Sequence, residues 1–150
     1  MANKKKKAVP KSCQMAASMT HAAYMNAVFS MFDGNEHYFI LVRDIIAIIV
    51  FDEYVLFRMN AGADIHQKHN IGYYKDLLSC TQFGKYGKSC ILNKHFVMRL
   101  GDGSEIVAYM FNGDIYKVSE DNNVRVRQDM KPIFAARIRK LKNIVLCFLR

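Results

Sequence analysis

HFVMRLGDGSEIVAYMFNGDIYKVS, residues 95–119, is the stretch that decides the fold class of this 150-residue chain. Three runs of β-branched and aromatic residues are separated by two turn signals, GDG at 101–103 and NG at 112–113. Asn-Gly readily takes the positive φ values of a type I′ turn, which joins neighbouring antiparallel strands. The stretch therefore predicts three antiparallel strands in a β meander.

Two further strand patterns lie upstream of this meander. HYFILVRDIIAIIVF at 37–51 is β-branched and aromatic, and EYVLFRM at 53–59 alternates well enough to be its neighbour across a turn at 52–53. Residues 73–80 predict one short helix. We therefore predict a mainly β fold over residues 37–130, an antiparallel meander with one short internal helix.

Apolar residues recur at helical spacing near both ends of the chain. Residues 13–36 predict an N-terminal helix, which follows a basic tail at 1–12 that we expect to be disordered. Residues 131–150 place most apolar side chains on one broad face and predict a C-terminal amphipathic basic helix, although Arg137 lies inside the apolar arc. This helix either packs on the β domain while its basic groups reach solvent, or docks on a protein partner or a membrane surface.

The formal net charge of +9 is concentrated at the two ends. Residues 1–11 carry five lysines and residues 131–150 carry six basic residues, with no acidic residue in either segment, whereas the middle of the chain has a net charge of −2. A basic protein attracts polyanions because binding releases their counterions. Within the middle, residues 82–101 hold four basic residues and no acidic one, which predicts a local cationic loop.

Features of membrane and disulfide-bonded proteins are weak in this sequence. The longest apolar run covers residues 45–51, which is far shorter than the roughly 20 residues of a membrane-spanning helix. We therefore predict no membrane span and a cytoplasmic location. Cys13, Cys80, Cys90 and Cys147 lack the close spacing of zinc or redox motifs, so we predict reduced and mostly buried thiols.

The patterns typical of enzymes are equally weak. GKS at 87–89 is similar to the end of a phosphate-binding loop, but that motif needs glycine where Gln82 stands and a helix where the strand-like CILN follows. His66 and His69 could hold a metal only with a third ligand that the sequence does not assure. No nucleophile stands at a predictable spacing from a base. We therefore predict no catalytic residues, no metal site and no cofactor.

Four segments together resemble one family. DIIAIIVFDEYVLF at 44–57, YYKDLLS at 73–79, FGKYGKSCILNKHFV at 83–97 and NGDIYKVS at 112–119 are similar, in order and spacing, to the LytTR DNA-binding domain family. The resemblance covers roughly residues 38–128, and its most specific part is the segment 83–97. No receiver domain is expected before the β region, because only about forty residues precede it and they look helical or disordered.

The resemblance implies an elongated antiparallel β domain of small sheets and hairpins. It also implies that this domain binds duplex DNA through three loops and not through a recognition helix. By position these are the turn at 52–53, the loop at 85–89 and the loop after Ser119. The chain departs from the family pattern at Glu53, at Glu120 and at Gly87, which stands where the family often has histidine. A carboxylate can accept a hydrogen bond from cytosine N4, but a phosphate repels it.

The candidate DNA contacts combine cations, a hydroxyl and the acidic loop tips. Lys88 stands at the central reading position that the resemblance implies, Ser89 can donate to a phosphate, and Arg125 and Arg127 are expected to share one face of an extended segment. We expect Asn93 to be a turn or capping side chain that holds the loop, and not to contact DNA directly. The full set of predicted DNA-contact residues is Glu53, Lys85, Lys88, Ser89, Lys94, Ser119, Glu120, Arg125 and Arg127.

Two functions fit these features. The first is a DNA-binding transcriptional regulator of LytTR type, with duplex DNA as its partner. The second is a protein-interaction module that keeps the LytTR-like scaffold and has lost sequence-specific reading. In either case the terminal helices could bind a second copy of the chain or another protein.

Overall fold

The computed structural model describes residues 21–32, 34–78 and 82–148. The predicted basic tail at 1–12 lies outside the described residues. The described part contains ten strands and three α-helices, with three short 3-10 turns between them. The strands are β1 (Val28–Phe32), β2 (His37–Leu41), β3 (Ile45–Phe51), β4 (Tyr54–Met59), β5 (Ile65–Gln67), β6 (Phe83–Lys85), β7 (Cys90–Asn93), β8 (Val97–Leu100), β9 (Val107–Met110) and β10 (Ile115–Lys117). The helices are α1 (His21–Asn26), α2 (Ile71–Leu77) and α3 (Asn123–Phe148).

The strands form three antiparallel sheets, and β3 is the centre of the largest. Its strand order is β5-β4-β3-β7-β6, and the other two sheets are the β1–β2 hairpin and the β10-β9-β8 meander. Four successive residues of β3, Ile45 to Ile48, are at most 1% exposed. Ile45 and Ile48 belong to one core cluster and Ile46 and Ala47 to the other. Burial on both faces explains why this strand is a continuous apolar run and does not alternate.

The hairpins predicted from turn chemistry are confirmed. β3 and β4 pair across the two-residue turn at 52–53, where Asp52 has a φ of 52°. β9 and β10 pair across Asn112-Gly113, and Gly113 has a φ of 90°. A type I′ turn needs a positive φ at both central residues, and Asn112 does not have one. This turn is therefore not the type I′ turn that the sequence predicts. The Asn112 side chain instead accepts a hydrogen bond from the Asp114 N–H at 3.1 Å.

One ion-pair network connects the five-stranded sheet to the meander. The Arg58 guanidinium on β4 donates to both carboxylate oxygens of Asp114, at 2.9 Å and 3.0 Å, and also to Asp64. These bonds lower the pKa of Asp114 below its ordinary value and raise the pKa of Arg58. The planar fork of arginine suits such two-pronged contacts, so the network fixes the relative position of the two sheets.

The predicted N-terminal helix over residues 13–36 is wrong for its second half. The described helix α1 ends at Asn26, and Val28–Phe32 form strand β1, which pairs with β2 in the register Val28 to Leu41. Residues 13–20 lie outside the described residues. The apolar residues at 25, 29 and 32 satisfy a helical spacing, but the backbone of this segment pairs with a neighbouring strand, and that pairing overrides the local pattern.

The C-terminal helix begins eight residues earlier than predicted. It covers Asn123–Phe148, and its first half packs on the meander through Val126 and Met130, which are both fully buried. Between residues 138 and 146 its apolar side chains are more than half exposed. In the described part of the chain, no helix combines the length and the apolar character that a membrane crossing requires.

Candidate nucleic-acid interface

Main-chain hydrogen bonds bring the three predicted contact loops together. The N–H of Val50, at the end of β3 beside the first loop, donates to the Ser89 carbonyl in the second loop at 2.9 Å. The N–H of Ser119, at the start of the third loop, donates to the Tyr86 carbonyl, again at 2.9 Å. Loops separated by more than thirty residues in sequence therefore form one continuous surface around residues 86–89.

A buried tyrosine holds the second loop. The Tyr86 side chain is fully buried, and its hydroxyl donates to the Asp129 carboxylate of α3 at 2.7 Å. Burial, reinforced by this hydrogen bond, raises the pKa of Tyr86, so the phenol stays neutral and remains a donor. Hydrogen bonds connect the loop to both the third loop and α3. They hold the backbone of the loop in place below its exposed tip.

Lys88 and Ser89 lie at this exposed tip. Lys85 is half-buried, and its carbonyl accepts a hydrogen bond from the Arg125 guanidinium, which also lies 5.2 Å from the centre of the Tyr86 ring. Arg125 is thus both an exposed cation and a clamp on the loop. The structure therefore brings Arg125 to Lys85, at the base of the loop whose tip carries Lys88 and Ser89, and these four residues are referred to below as the patch.

The lining of a cavity beside this patch includes one basic side chain, Lys75, that the sequence analysis did not identify. The cavity has a volume of about 220 Å³ and its charged lining residues are Lys75, Lys85, Arg125 and Asp129. Lys75 lies on α2, within the segment YYKDLLS. Its proximity to the second loop depends on how α2 packs. The sequence shows a basic residue on a predicted short helix, but it does not show that this residue lies near the second loop.

Lys94 and Arg127 are both paired with acidic side chains. Only 12% of the Lys94 side chain is exposed, and its ammonium lies 3.6 Å from the Asp129 carboxylate. Arg127 is exposed, with its guanidinium 3.7 Å from Asp102. The expectation that Arg125 and Arg127 share one face of an extended segment is wrong, because both belong to α3 and residues two apart on a helix point to different sides.

The acidic residues stand at the tips of the first and third loops. Glu53 is exposed next to Asp52 in the β3–β4 turn, and Glu120 is exposed at the start of a 3-10 turn. Ser119 has a structural role, since its hydroxyl donates to the Tyr86 carbonyl at 3.2 Å and accepts from the Asn122 amide at 2.7 Å. The surface therefore alternates cationic and anionic groups.

Two predictions about single residues have different outcomes. Asn93 is fully buried, and its side-chain oxygen accepts from the His95 N–H at 3.1 Å at the start of a 3-10 turn, which confirms that it is a capping side chain. Cys90 is buried, and burial raises the pKa of its thiol. Cys147 is exposed, which corrects its prediction as a mostly buried thiol, because α3 extends beyond the core at that point. Cys13 and Cys80 lie outside the described residues.

The histidines of the loop before α2 stand beside aromatic rings. His69 stacks on Tyr73 with ring centres 4.8 Å apart, and His66 lies edge-on to Tyr54 at 6.3 Å. Within the residues that the structure describes, no group of three or more histidine, cysteine, aspartate or glutamate side chains could hold a metal ion.

Comparison with known proteins identifies the fold. No family model matches this sequence, and no curated protein matches it. Among solved structures, this chain is similar to the LytTr DNA-binding domain of a protein described as a methyl-accepting/DNA response regulator from Bacillus cereus, with a TM-score of 0.61 and 15% sequence identity. The similarity covers 70% of this chain and 97% of that domain. The chain therefore has the LytTR fold, as the four sequence segments predicted.

Proposed function

We propose that this protein is a cytoplasmic transcriptional regulator that binds duplex DNA through the three loops around residues 86–89. The observation that carries the proposal is the convergence of these loops, on a LytTR fold, around the exposed Lys88 and Ser89. The DNA-binding domain from Bacillus cereus with the same fold supports duplex DNA as the partner.

The charge of each side chain determines which group of the DNA it is expected to contact. Lys85, Lys88 and Arg125 would neutralise phosphates, and Ser89 would donate a hydrogen bond to a phosphate oxygen. Glu53 and Glu120 would either accept from cytosine N4 or lie near phosphates that repel them. Lys94 and Arg127, with acidic neighbours of their own, are expected to contribute little. Lys75 joins the set as a further phosphate contact.

The test of this proposal compares two lysines that carry the same charge. Replacing Lys88 by alanine should weaken duplex binding by about tenfold, because its loop is already ordered and it loses little further conformational entropy on binding. Lys142 is exposed on the distal half of α3, and Lys142→Ala should change affinity by less than about twofold. Fluorescence anisotropy of the full chain, at low and near-physiological salt, measures both.

Equal losses for the two lysines would indicate attraction by overall charge and would refute reading by the loops. Selection from a random-site duplex pool adds a second readout. A sequence enriched by the wild-type protein and not by Lys88→Ala supports a regulator that reads DNA through this loop.

Glu53→Gln is expected to raise the affinity for duplex DNA by about threefold at low salt, because it removes a carboxylate from a loop that faces phosphates. The gain should shrink as salt rises, since screening already weakens the repulsion. Glu105→Gln, on the loop between β8 and β9, is the matched control and should have a smaller effect. An affinity that does not change with Glu53→Gln would place the first loop away from the duplex.

A second candidate function rests on the distal half of α3. Five of its apolar side chains are more than half exposed: Ile138, Leu141, Ile144, Val145 and Leu146. Such a face is typical of a surface that binds protein, either a second copy of this chain or another partner. This favours an interaction module on a LytTR-like scaffold. Selection from the random-site duplex pool separates the two functions, because an interaction module would enrich no DNA site. Light scattering of the full chain tests whether this face binds a second copy, because a homodimer has twice the monomer mass.

A further inference from the structure

Arg137 marks the point at which α3 leaves the sheets. Its guanidinium donates to the main-chain carbonyls of Val97 and His95, to the second at 2.8 Å, and lies 5.0 Å from the centre of the Phe111 ring. The charge of Arg137 is therefore engaged inside the domain, although the residue stands within the apolar arc of the helix. Every residue from 138 to 147 is exposed, so the helix presents its distal half to solvent.

The apolar side chains of this distal half cover a wide arc. At about 100° per residue, four of them fall within about 120° of the helix circumference. These four are Ile138, Leu141, Ile144 and Val145. Leu146, which is 59% exposed, lies about 80° beyond one edge, so the five side chains span about 200°. The stripe that packs against one partner helix is narrower, so a single helix would leave part of this surface in water.

Basic side chains accompany the apolar arc. Residues 130–150 contain no aspartate or glutamate. Lys142 lies inside the wide arc, whereas Arg139 and Lys140 lie on the remaining side of the helix, and all three are exposed. A second copy of this helix laid against the same face would bring like charges together, and their repulsion opposes that contact. The charge of this face is complementary to an anionic surface.

We propose that the distal half of α3 binds the surface of a membrane rich in anionic phospholipid. The helix would lie in the plane of the interface, with its apolar arc among the upper acyl chains and its basic groups at the phosphates. The Lys142 stem would pack along the apolar surface while its ammonium reaches a phosphate. Acyl chains can surround the whole arc, including Leu146, which a single protein helix would not cover. The proposal goes beyond DNA binding and uses none of the loop residues around 86–89.

Two kinds of vesicle test the proposal: phosphatidylglycerol with phosphatidylcholine in equal parts, and phosphatidylcholine alone. Sedimentation with the vesicles measures binding of the full chain. We expect saturable binding to the anionic vesicles and binding to the neutral vesicles that is weaker by at least about tenfold, since each basic group near an anionic surface contributes about fivefold. No binding to the anionic vesicles would overturn the proposal.

Leu141→Gln separates insertion of the helix from attraction by overall charge, because it leaves the charge unchanged. It should lower the affinity for anionic vesicles by about tenfold, since one leucine no longer enters the acyl chains. Val124→Gln is the matched control: Val124 is 68% exposed near the start of the same helix, and its replacement should change the affinity by less than about twofold. Equal losses for the two variants would overturn the proposal.

Tryptophan fluorescence gives a second readout, because the chain contains no tryptophan of its own. With anionic vesicles, the emission of the Leu141→Trp variant should shift to shorter wavelength as the indole enters the interface, whereas the emission of Val124→Trp should not shift. Equal shifts at the two positions would contradict insertion by the distal half of α3.

Two lysine variants distinguish failure of this proposal from failure of DNA binding. Lys142→Ala should lower vesicle affinity by about fivefold and change DNA affinity by less than about twofold, whereas Lys88→Ala should have the opposite pattern. Light scattering addresses the alternative occupant. A wild-type dimer that Leu141→Gln converts to a monomer, without vesicle binding, would overturn the proposal and assign this face to a second copy of the chain.

Discussion

Replacing Asn93 by alanine should lower the free energy of unfolding by about 3 kcal/mol. The side-chain nitrogen of Asn93 donates to the Tyr24 hydroxyl at 2.7 Å and to the Ile45 carbonyl at 2.8 Å. Its oxygen accepts from the His95 N–H at 3.1 Å. The residue is fully buried, so alanine would remove all three bonds at once from groups of α1, β3 and the turn before β8 and would leave a cavity. Equilibrium unfolding in urea measures the loss.

Asn143→Ala provides the control for this experiment. Asn143 is exposed on the distal half of α3, where alanine is a better helix former, so the free energy of unfolding should stay within about 0.5 kcal/mol of wild type. If Asn93→Ala also stayed within that range, the three bonds would contribute nothing net, and the link between α1 and the central sheet would have to come from apolar packing.

Gly84→Ala should lower the free energy of unfolding by about 3 kcal/mol, and should also displace the second loop. A methyl group at this position would overlap the Tyr86 side chain at three of its atoms: Cζ, Cε2 and the hydroxyl oxygen. The ring cannot move aside easily, because it is fully buried and bonded to Asp129. Gly84 does not have a positive φ, so the cost is steric and does not come from backbone strain. Because Lys88 lies on the same loop, DNA affinity should fall together with stability.

Gly87→Ala is the matched control in the same loop. Its added methyl group would lie 3.4 Å from the Cys90 sulfur and 3.9 Å from the Lys117 carbonyl oxygen, which are ordinary contact distances. We expect a change in the free energy of unfolding of less than about 0.5 kcal/mol, measured by the same urea unfolding. Losses of equal size at the two glycines would mean that loop flexibility matters and that packing against Tyr86 does not.

The contrast between β10 and β1 shows how far local pattern determines structure. The hairpin of β9 and β10 was predicted because Asn112-Gly113 and the flanking alternation act within ten residues. The segment that forms β1 was predicted as helix, because its Met and Phe spacing satisfies a period of three to four residues. Only pairing with β2 makes this segment a strand, and its own residues do not encode the position of that neighbour.

Some features of the candidate interface also follow from local sequence, and others follow only from packing. The sequence places Lys88 and Ser89 at a polar loop tip, because Tyr-Gly-Lys-Ser stands between two strand-forming runs. It does not show that Lys94, six residues further, lies beside Asp129 in α3, or that Arg125 clamps the Lys85 carbonyl. Both contacts join residues at least 35 positions apart, so they depend on how α3 packs against the sheet.

The sequence by itself determined that the chain is a β protein with hairpins at 52–53 and 112–113, because turn chemistry and alternation are local properties. It also determined the cationic loop at 85–89 and, through four segments in order, the LytTR resemblance. Tertiary structure alone decided which cations remain available at the loop surface and where Lys75 lies. These features require distant segments to meet, and their positions follow from packing and from hydrogen bonds between residues that no short stretch of sequence contains.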